Sequence, residues 1–398
     1  MTTDLRERVA DLRGATALAV EATKAVTTIV EDMHRAIADG SWPLQGPRRL
    51  VSRAVYGSIR GVTGAVGAGL DLALQQLAPA LGDDVPGPAR DALLSALNGV
   101  LGDYLEATEN PLAITMRARH GGAALELDSR ALSRSLPGAG RKLLVLVHGL
   151  TMSDHGWRRR GHDHGEALAR DLGYTPVYLL YNTGRHISAN GEALAELLDA
   201  LVAAWPASDV ELTIVAHSMG GLVARSACQA ADAASRPWRR ALTSMVFLGT
   251  PHHGAPLERG GSWVHAALGI SRYSAPLARL GALRSAGITD LRHGAVVEAD
   301  WRGRDRFEPG RAPRTPVALP RDVACFAIAG EVASGRLGAL VGDGLVPVDS
   351  ALGRGQDPEH DLRIPDARAW TAAGVGHLDL LSDAGVYERV RAWLDDAT

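Results

Sequence analysis

The stretch ELTIVAHSMGGLVARSA, Glu211 to Ala227, changes character at one residue. Leu212 to Ala216 is an apolar, strand-like run. Gly220 and Gly221 follow Ser218, and the chain then turns to an Ala/Leu/Val/Arg stretch of helical composition. A strand, a sharp turn and a helix in this order put the serine hydroxyl at the carboxyl end of a parallel strand, the place where open α/β sheets bind ligands. Alone, a serine between small residues is a weak signal, so its meaning depends on the rest of the chain.

Working outward, apolar runs of strand length alternate with helical segments from Lys142 onward. The runs are KLLVLVH (142–148), TPVYLLY (175–181), ELTIVAH (211–217), SMVFLGT (244–250), ACFAIAG (324–330) and ARAWTAAG (367–374). Between them lie HGEALARDLG, NGEALAELLDALVAAW and GGLVARSACQAADAA. Solidly apolar strands alternating with helices predict an α/β fold, a mostly parallel central sheet with helices on both faces. The alternating segment AITMRARHGGAALELDS predicts a β-hairpin turning at Gly121-Gly122. Between about 255 and 318 the alternation is replaced by a Gly/Ala/Leu/Arg-rich stretch, long enough for helices of its own and a lid or cap.

The first 110 residues predict a separate helical region. Val26, Val30, Met33 and Ile37 share one helical face, as do Leu93, Leu94, Leu97, Leu101, Tyr104 and Leu105. GSWPLQGP and GDDVPGP separate the helices. Residues 111–398 then form the main domain. No stretch has the ~18 uninterrupted apolar residues of a membrane span, and the charged start MTTDLRERVADLRG lacks the plan of a secretory signal. These features point to the cytoplasm, with lipid-surface contact of the glycine- and alanine-rich 58–82 segment left open. Oligomeric state is not encoded in any pattern here.

Composition excludes several classes. Lys plus Arg number 42 against 45 acidic residues among 398, so no strong field invites nucleic acid. The two cysteines, Cys228 and Cys325, belong to no metal or redox motif and predict buried thiols, although a disulfide between them stays open.

A serine nucleophile needs a base, a group that orients the base, and donors for the developing oxyanion. Asp343 in VGDGLVPVDSA and His377 in GVGHLDLL each follow a predicted strand on a glycine-flanked turn. The chain order Ser218, Asp343, His377 matches that of serine hydrolases built on parallel sheets. The backbone N–H of Met219, just after the serine, and that of Leu150, after LVLVHG, are the expected oxyanion donors. Asp349 and His360 are the rival acid and base; Asp349 reads as an exposed loop or helix-cap residue, and His360 falls in RGQDPEHDLR, a polar surface loop.

From about Arg141 to Trp393 the chain resembles α/β-hydrolase fold serine esterases and lipases, and is most similar to bacterial triacylglycerol-lipase-like and PGAP1-like hydrolases. LVHGL, YNTGRH, VAHSMGGLVAR, FLGTPHHGAP, GDGLVPVDSA and GHLDLL carry the resemblance. It implies an ester or lipid substrate with an apolar acyl chain, hydrolysed through an acyl-enzyme without a cofactor. Ala216 departs from the glycine usual at the first elbow position, and alanine is also small. The family assigns the first 110 residues no role. Some of its members bind calcium through an aspartate two residues past the histidine, a position held here by Asp379. No companion ligand upstream of Asp343 is evident, and Asp383 is the one nearby helper, so no metal site is expected.

His148, Tyr181 and His217 are the candidate substrate-contacting residues, with Arg185 and His186 near the same rim. His252 and His253 are expected to make local structural bonds. RRRGHDHG (158–165) is expected to be a solvated loop that opens a helix. The same motifs fit an acyltransferase or a thioesterase. A non-catalytic binding module on the same scaffold is the reading from another class.

Overall fold

A computed structural model describes residues 87–254, 285–304, 314–333 and 341–396. The helical face expected over 26–37, the 58–82 segment and most of the expected cap, including Trp263, Leu268, Ile270, Leu277 and Leu280, lie outside these residues.

Among the described residues eight strands form one sheet: β1 (Arg117–His120), β2 (Ala123–Ala124), β3 (Lys142–Val147), β4 (Thr175–Leu180), β5 (Glu211–His217), β6 (Leu242–Leu248), β7 (Ala324–Glu331) and β8 (Ala369–Ala373). Their spatial order is β2-β1-β4-β3-β5-β6-β7-β8. β1 runs antiparallel to both β2 and β4, and every pairing from β4 to β8 is parallel. The hairpin turn is Gly121-Gly122, with φ of 57° and 83°, a double positive-φ turn that glycine adopts without strain. The fourth predicted segment, SMVFLGT, belongs to a strand that starts earlier, at Leu242, where Leu212 pairs across to it.

The helices are α1 (Pro88–Ala107), α2 (Ser129–Ser135), α3 (His164–Leu172), α4 (Ile187–Ala203), α5 (Met219–Ala234), α6 (Ala286–His293), α7 (Val348–Ala351) and α8 (Ala384–Asp396). The chain moves outward from β3 to β4 through α3, then crosses back to β5 through α4 and on to β6 through α5. Because crossovers of parallel strands are right-handed, reversing direction switches the sheet face. Accordingly α3 packs with α8, while α4 packs with α5.

The strand residues sort by the same rule. Leu143, Val145, Val147, Ile214, Met245 and Phe247 join the core beneath α4 and α5. Leu144, Leu146, Val215, Val246 and Leu248 join the second core, beneath α3 and α8. Period-two alternation with both sets buried explains why these strands are apolar throughout. Cys228 and Cys325 are free thiols inside this packing, and burial pushes both up to about 12. Among the described residues no helix is long and apolar enough to cross a membrane.

Helix α1 joins the larger core through Leu93, Leu94, Leu97, Leu101 and Leu105. Asn98 is fully buried on it. Its Nδ2 donates to the Leu94 and Leu112 carbonyls, at 2.9 and 2.8 Å, and its Oδ1 accepts from the Ile114 N–H at 2.9 Å. One side chain therefore satisfies the backbone of the segment that leads into β1.

The sequence expectation of a solvated RRRGHDHG loop is corrected at His164. Asp163 does cap α3, accepting from Gly165 and Glu166. His164, however, is fully buried, with Nε2 donating to the Leu380 carbonyl at 2.9 Å. Packing against α8 removed a histidine that local polarity alone placed in water.

Replacing Asn98 by Ala leaves a buried carbonyl and a buried N–H without partners, each worth about 1–3 kcal/mol. Urea unfolding should show about 2–4 kcal/mol lost at unchanged m. Burial also holds His148, His164 and His253 down at about 4, and His217 and His252 well below the ordinary histidine value. The unfolded chain takes up those protons near 6.5 and the folded one does not. Stability should therefore fall as pH drops from about 6.5 toward 5, at up to about 1.4 kcal/mol per pH unit per histidine. His164→Gln should remove one histidine's share of that slope.

Candidate active site

β3 and β5 are neighbours whose onward connections leave in opposite directions. Beyond their carboxyl ends the two crossovers part and leave a crevice, the general binding position of such sheets. Leu150 follows β3 and Ser218 follows β5, so both lie at this switch point.

Ser218 has φ 55° and ψ −126°, directly between β5 and the first residue of α5. Few non-glycine residues hold a positive φ, and such strain persists only where surroundings impose it. The surroundings are tight. The Ser218 N–H donates to the Leu248 carbonyl at 2.9 Å, which ties the corner to the end of β6. A Cβ on Gly220 would lie 2.3 Å from the Val147 carbonyl oxygen, and one on Gly221 would lie 2.1 Å from Thr250 Oγ1. The two glycines thus let α5 start in the gap between the ends of β3 and β6. As the first residue of α5, Met219 has an N–H with no intrahelical acceptor, and the positive end of the helix dipole lies there.

Asp343 and His377 come together although 33 residues lie between them in the chain. His377 Nδ1 and Asp343 Oδ2 are 2.6 Å apart, both side chains buried. The same carboxylate accepts from the Leu345 and Val346 amides through Oδ1, at 3.0 and 2.8 Å. The His377 N–H donates to the Asp343 carbonyl at 3.0 Å. The carboxylate is thus fixed by its own turn, and the imidazole is fixed by the carboxylate. With Nδ1–H donated to Asp343, the lone pair is on Nε2. Gly249, which follows Leu248 with φ 59°, marks where these elements meet: a Cβ there would lie 2.9 Å from Asp343 Oδ2 and 3.1 Å from His377 Nδ1. The hydrogen bonds join Asp343 to His377 and do not extend to the Ser218 hydroxyl. That link is often loose before substrate binds.

Around this group lies a shell of neutral, buried polar side chains. His217 donates from Nε2 to the His377 carbonyl at 3.0 Å, and the two rings are 4.7 Å apart. Its Nδ1 is buried without a partner. His148 stacks on Tyr181 at 4.4 Å, and the Tyr181 hydroxyl donates to the His148 carbonyl at 2.7 Å. His148 Nδ1 donates to the Gly149 carbonyl, leaving Nε2 buried and unpartnered. Of the three candidate substrate contacts, Tyr181 has its hydroxyl committed to the protein, whereas His148 and His217 each keep one bare ring nitrogen.

The rim candidates are engaged by neighbouring elements. Arg185 pairs with Glu106 of α1 at 2.7 Å. His186 meets Asp290 of α6 at 3.0 Å and stacks on Trp301 at 3.6 Å. Asp290 also accepts from the Ile187 N–H at 2.9 Å, so α6 caps α4 from outside its own sequence. His252 and His253 meet Arg225 and Arg314, each at 3.4 Å. The rivals stand apart: Asp349 is exposed on α7, and His360 is held by Asp357 and the Arg314 carbonyl.

Two places invite a metal on residue type alone. Asp379 lies 3.0 Å from Arg160 and 3.7 Å from Arg159, and Asp383 accepts from the Val386 N–H. Guanidinium groups stand where a calcium ion would need about six oxygens. Asp91, Asp154 and His155 also converge, but Arg119 Nη1 bridges the two carboxylates at 2.7 and 2.8 Å. Burial raises the Asp91 carboxyl, and hydrogen bonds from His155 and Arg119 more than reverse this, leaving it at about 2.

Sequence reasoning missed Asn182, Thr183, Thr151 and Asp290, which hold the loops around the crevice. YNTGRH was visible as a motif, but the partners of Asn182 and Arg185 lie on α1 and that of His186 on α6.

A family model described as a domain of unknown function (DUF7379) matches residues 117–291. No curated protein sequence matches the chain. Among solved structures, the chain is similar to a mature-form lipase from Bacillus licheniformis, at 20% identity and TM-score 0.42, over 71% of this chain and 98% of that one. It is also similar to a thermophilic esterase from Thermogutta terrifontis, at 13% identity and TM-score 0.39, over 65% and 91%. A third is a thioesterase of the prodiginine pathway in Streptomyces coelicolor, at 15% identity and TM-score 0.36, over 66% and 88%. The strand order, with its reversal between β4 and β5, and the strained serine corner between β5 and α5 give this chain the α/β-hydrolase fold.

Proposed function

We propose that the chain is a serine carboxylic-ester hydrolase. One observation carries the proposal: Ser218 is held at positive φ on a strand-to-helix corner, and its chain neighbour His217 donates at 3.0 Å to the carbonyl of His377, whose ring forms a buried pair with Asp343 at 2.6 Å.

In this scheme His377 Nε2 takes the Ser218 proton as Oγ attacks the ester carbonyl. Asp343 keeps the proton of the resting imidazole on Nδ1 and stabilises the imidazolium. The N–H groups of Leu150 and Met219 receive the oxyanion, a contribution of about 10²–10³ in rate per donor. Collapse breaks the C–O bond, and the alcohol departs with the proton from His377. Water, deprotonated by the same nitrogen, then attacks the acyl-enzyme and releases the acid and Ser218. The scheme uses side chains and backbone alone.

Residues from about 255 to 318 are taken as a cap or lid insert, with residues 1–110 as an N-terminal helical region. The apolar residues of the cap sequence favour an acyl chain over a polar acid. A thioester or an acceptor alcohol would enter the same chemistry.

Fluorophosphonate labelling with peptide mapping tests the nucleophile. A single adduct on Ser218, absent in Ser218→Ala, is expected; labelling elsewhere, or none, overturns the scheme. Asp343→Asn should lower kcat by about 10³–10⁴ with a small effect on KM, as expected when the base loses its orienting partner. A p-nitrophenyl ester series should show activity rising from acetate to chains of eight carbons or more. Acetate preference with nothing beyond butyrate overturns the apolar-acyl assignment.

A further inference from the structure

Thr151, one residue past the candidate oxyanion donor Leu150, has φ 60°. A β-branched residue in that region is a true outlier and needs an outside restraint. The restraint comes from α1, which the hydrolase resemblance does not include. A Cβ on Gly99 of α1 would lie 2.4 Å from Thr151 Cγ2 and 3.2 Å from its Cα, so the helix backbone presses directly on the loop. On the other side the Thr151 N–H donates to Thr183 Oγ1 at 3.1 Å. Three residues on, Asp154 pairs with Arg119, which pairs in turn with Asp91 of α1. The loop is therefore clamped to one helix at two points.

The same helix also holds the loop after β4 and the start of α6. Asn182 Nδ2 donates to the Gly102 carbonyl at 2.9 Å, beside the paired Arg185 and Glu106. Ser285 Oγ donates to the Gly99 carbonyl at 2.8 Å, and the Ala286 N–H donates to Asp103 Oδ2 at 3.0 Å. Gly99 thus touches the oxyanion loop with its Cα and the start of α6 with its carbonyl. A mid-helix glycine costs about 1 kcal/mol relative to alanine, and here only glycine admits Thr151.

We propose that α1 is a positioning element of the active site, and that the Gly99–Thr151 contact sets the direction of the Leu150 N–H. The proposal rests on the serine-hydrolase reading. It makes α1 part of the working enzyme: without its pressure Thr151 relaxes to negative φ and the donor turns away from the oxyanion.

The test is a double-mutant cycle on the full chain, read by the fluorophosphonate phosphonylation rate of Ser218 and by kcat and KM on a p-nitrophenyl ester. All rates are taken well below each variant's melting temperature. Gly99→Ala should slow phosphonylation and kcat about 10–100-fold with KM within about twofold, the size expected from a misplaced donor. In a Thr151→Ser background, where Cγ2 is gone, the same change should cost less than about threefold. Asp154→Asn loosens the loop without adding a non-hydrogen atom, and it too should lower kcat at unchanged KM. If the parent chain is not labelled, the hydrolase reading falls and takes this proposal with it. If the parent is labelled but Gly99→Ala reacts at the parental rate, or is equally slowed in both backgrounds, the positioning role is overturned and the hydrolase reading stands. Should Gly99→Ala not fold, parental kcat in Asp154→Asn overturns it.

Discussion

The corner at Ser218 is the constraint on which the rest depends. A backbone at φ 55°, ψ −126° costs about 1–3 kcal/mol. It is held because the Ser218 N–H is tied to Leu248 and because α5 starts wedged between the ends of β3 and β6. Those strand ends in turn need the eight-stranded sheet in register, and the sheet needs both of its faces covered. The strain is therefore distributed through the two cores. It leaves the hydroxyl at the tip of the corner and the Met219 N–H free of intrahelical bonding beside it.

The polar atoms behind the corner are arranged to stay neutral. His217 and His148 are buried, each donates one ring N–H to a backbone carbonyl, and desolvation keeps both uncharged. A charged imidazole there would stand against the imidazolium that the proposed mechanism forms on His377. The Asp343 carboxylate, by contrast, is accommodated by two backbone N–H groups of its own turn as well as by His377. The site separates one place built for negative charge from a surrounding shell that excludes positive charge.

Helix α1 contacts the loops around the candidate site. Its apolar stripe was plain in the sequence, yet its boundary with the main domain, set near residue 110, gave no sign that its opposite contacts reach Thr151, Asn182 and Ser285. Those contacts run through a glycine Cα, backbone carbonyls and an asparagine amide. Such groups carry no periodic signal.

By itself the sequence determined the strands, their alternation with helices, the hairpin at Gly121-Gly122 and the turns that carry Ser218, Asp343 and His377. Each of these is local: apolar period, strand length and glycine-flanked corners depend on neighbours within a few residues. Only the tertiary structure decided that His164 is buried, that Tyr181 spends its hydroxyl on the His148 carbonyl, that Asp379 faces arginines, and that α6 caps α4 through Asp290. It alone also brought Asp343 to His377 at 2.6 Å. The physical reason is the same throughout. Burial, desolvation and the identity of a hydrogen-bond partner are set by elements far away in the chain, and no local pattern encodes who that partner will be.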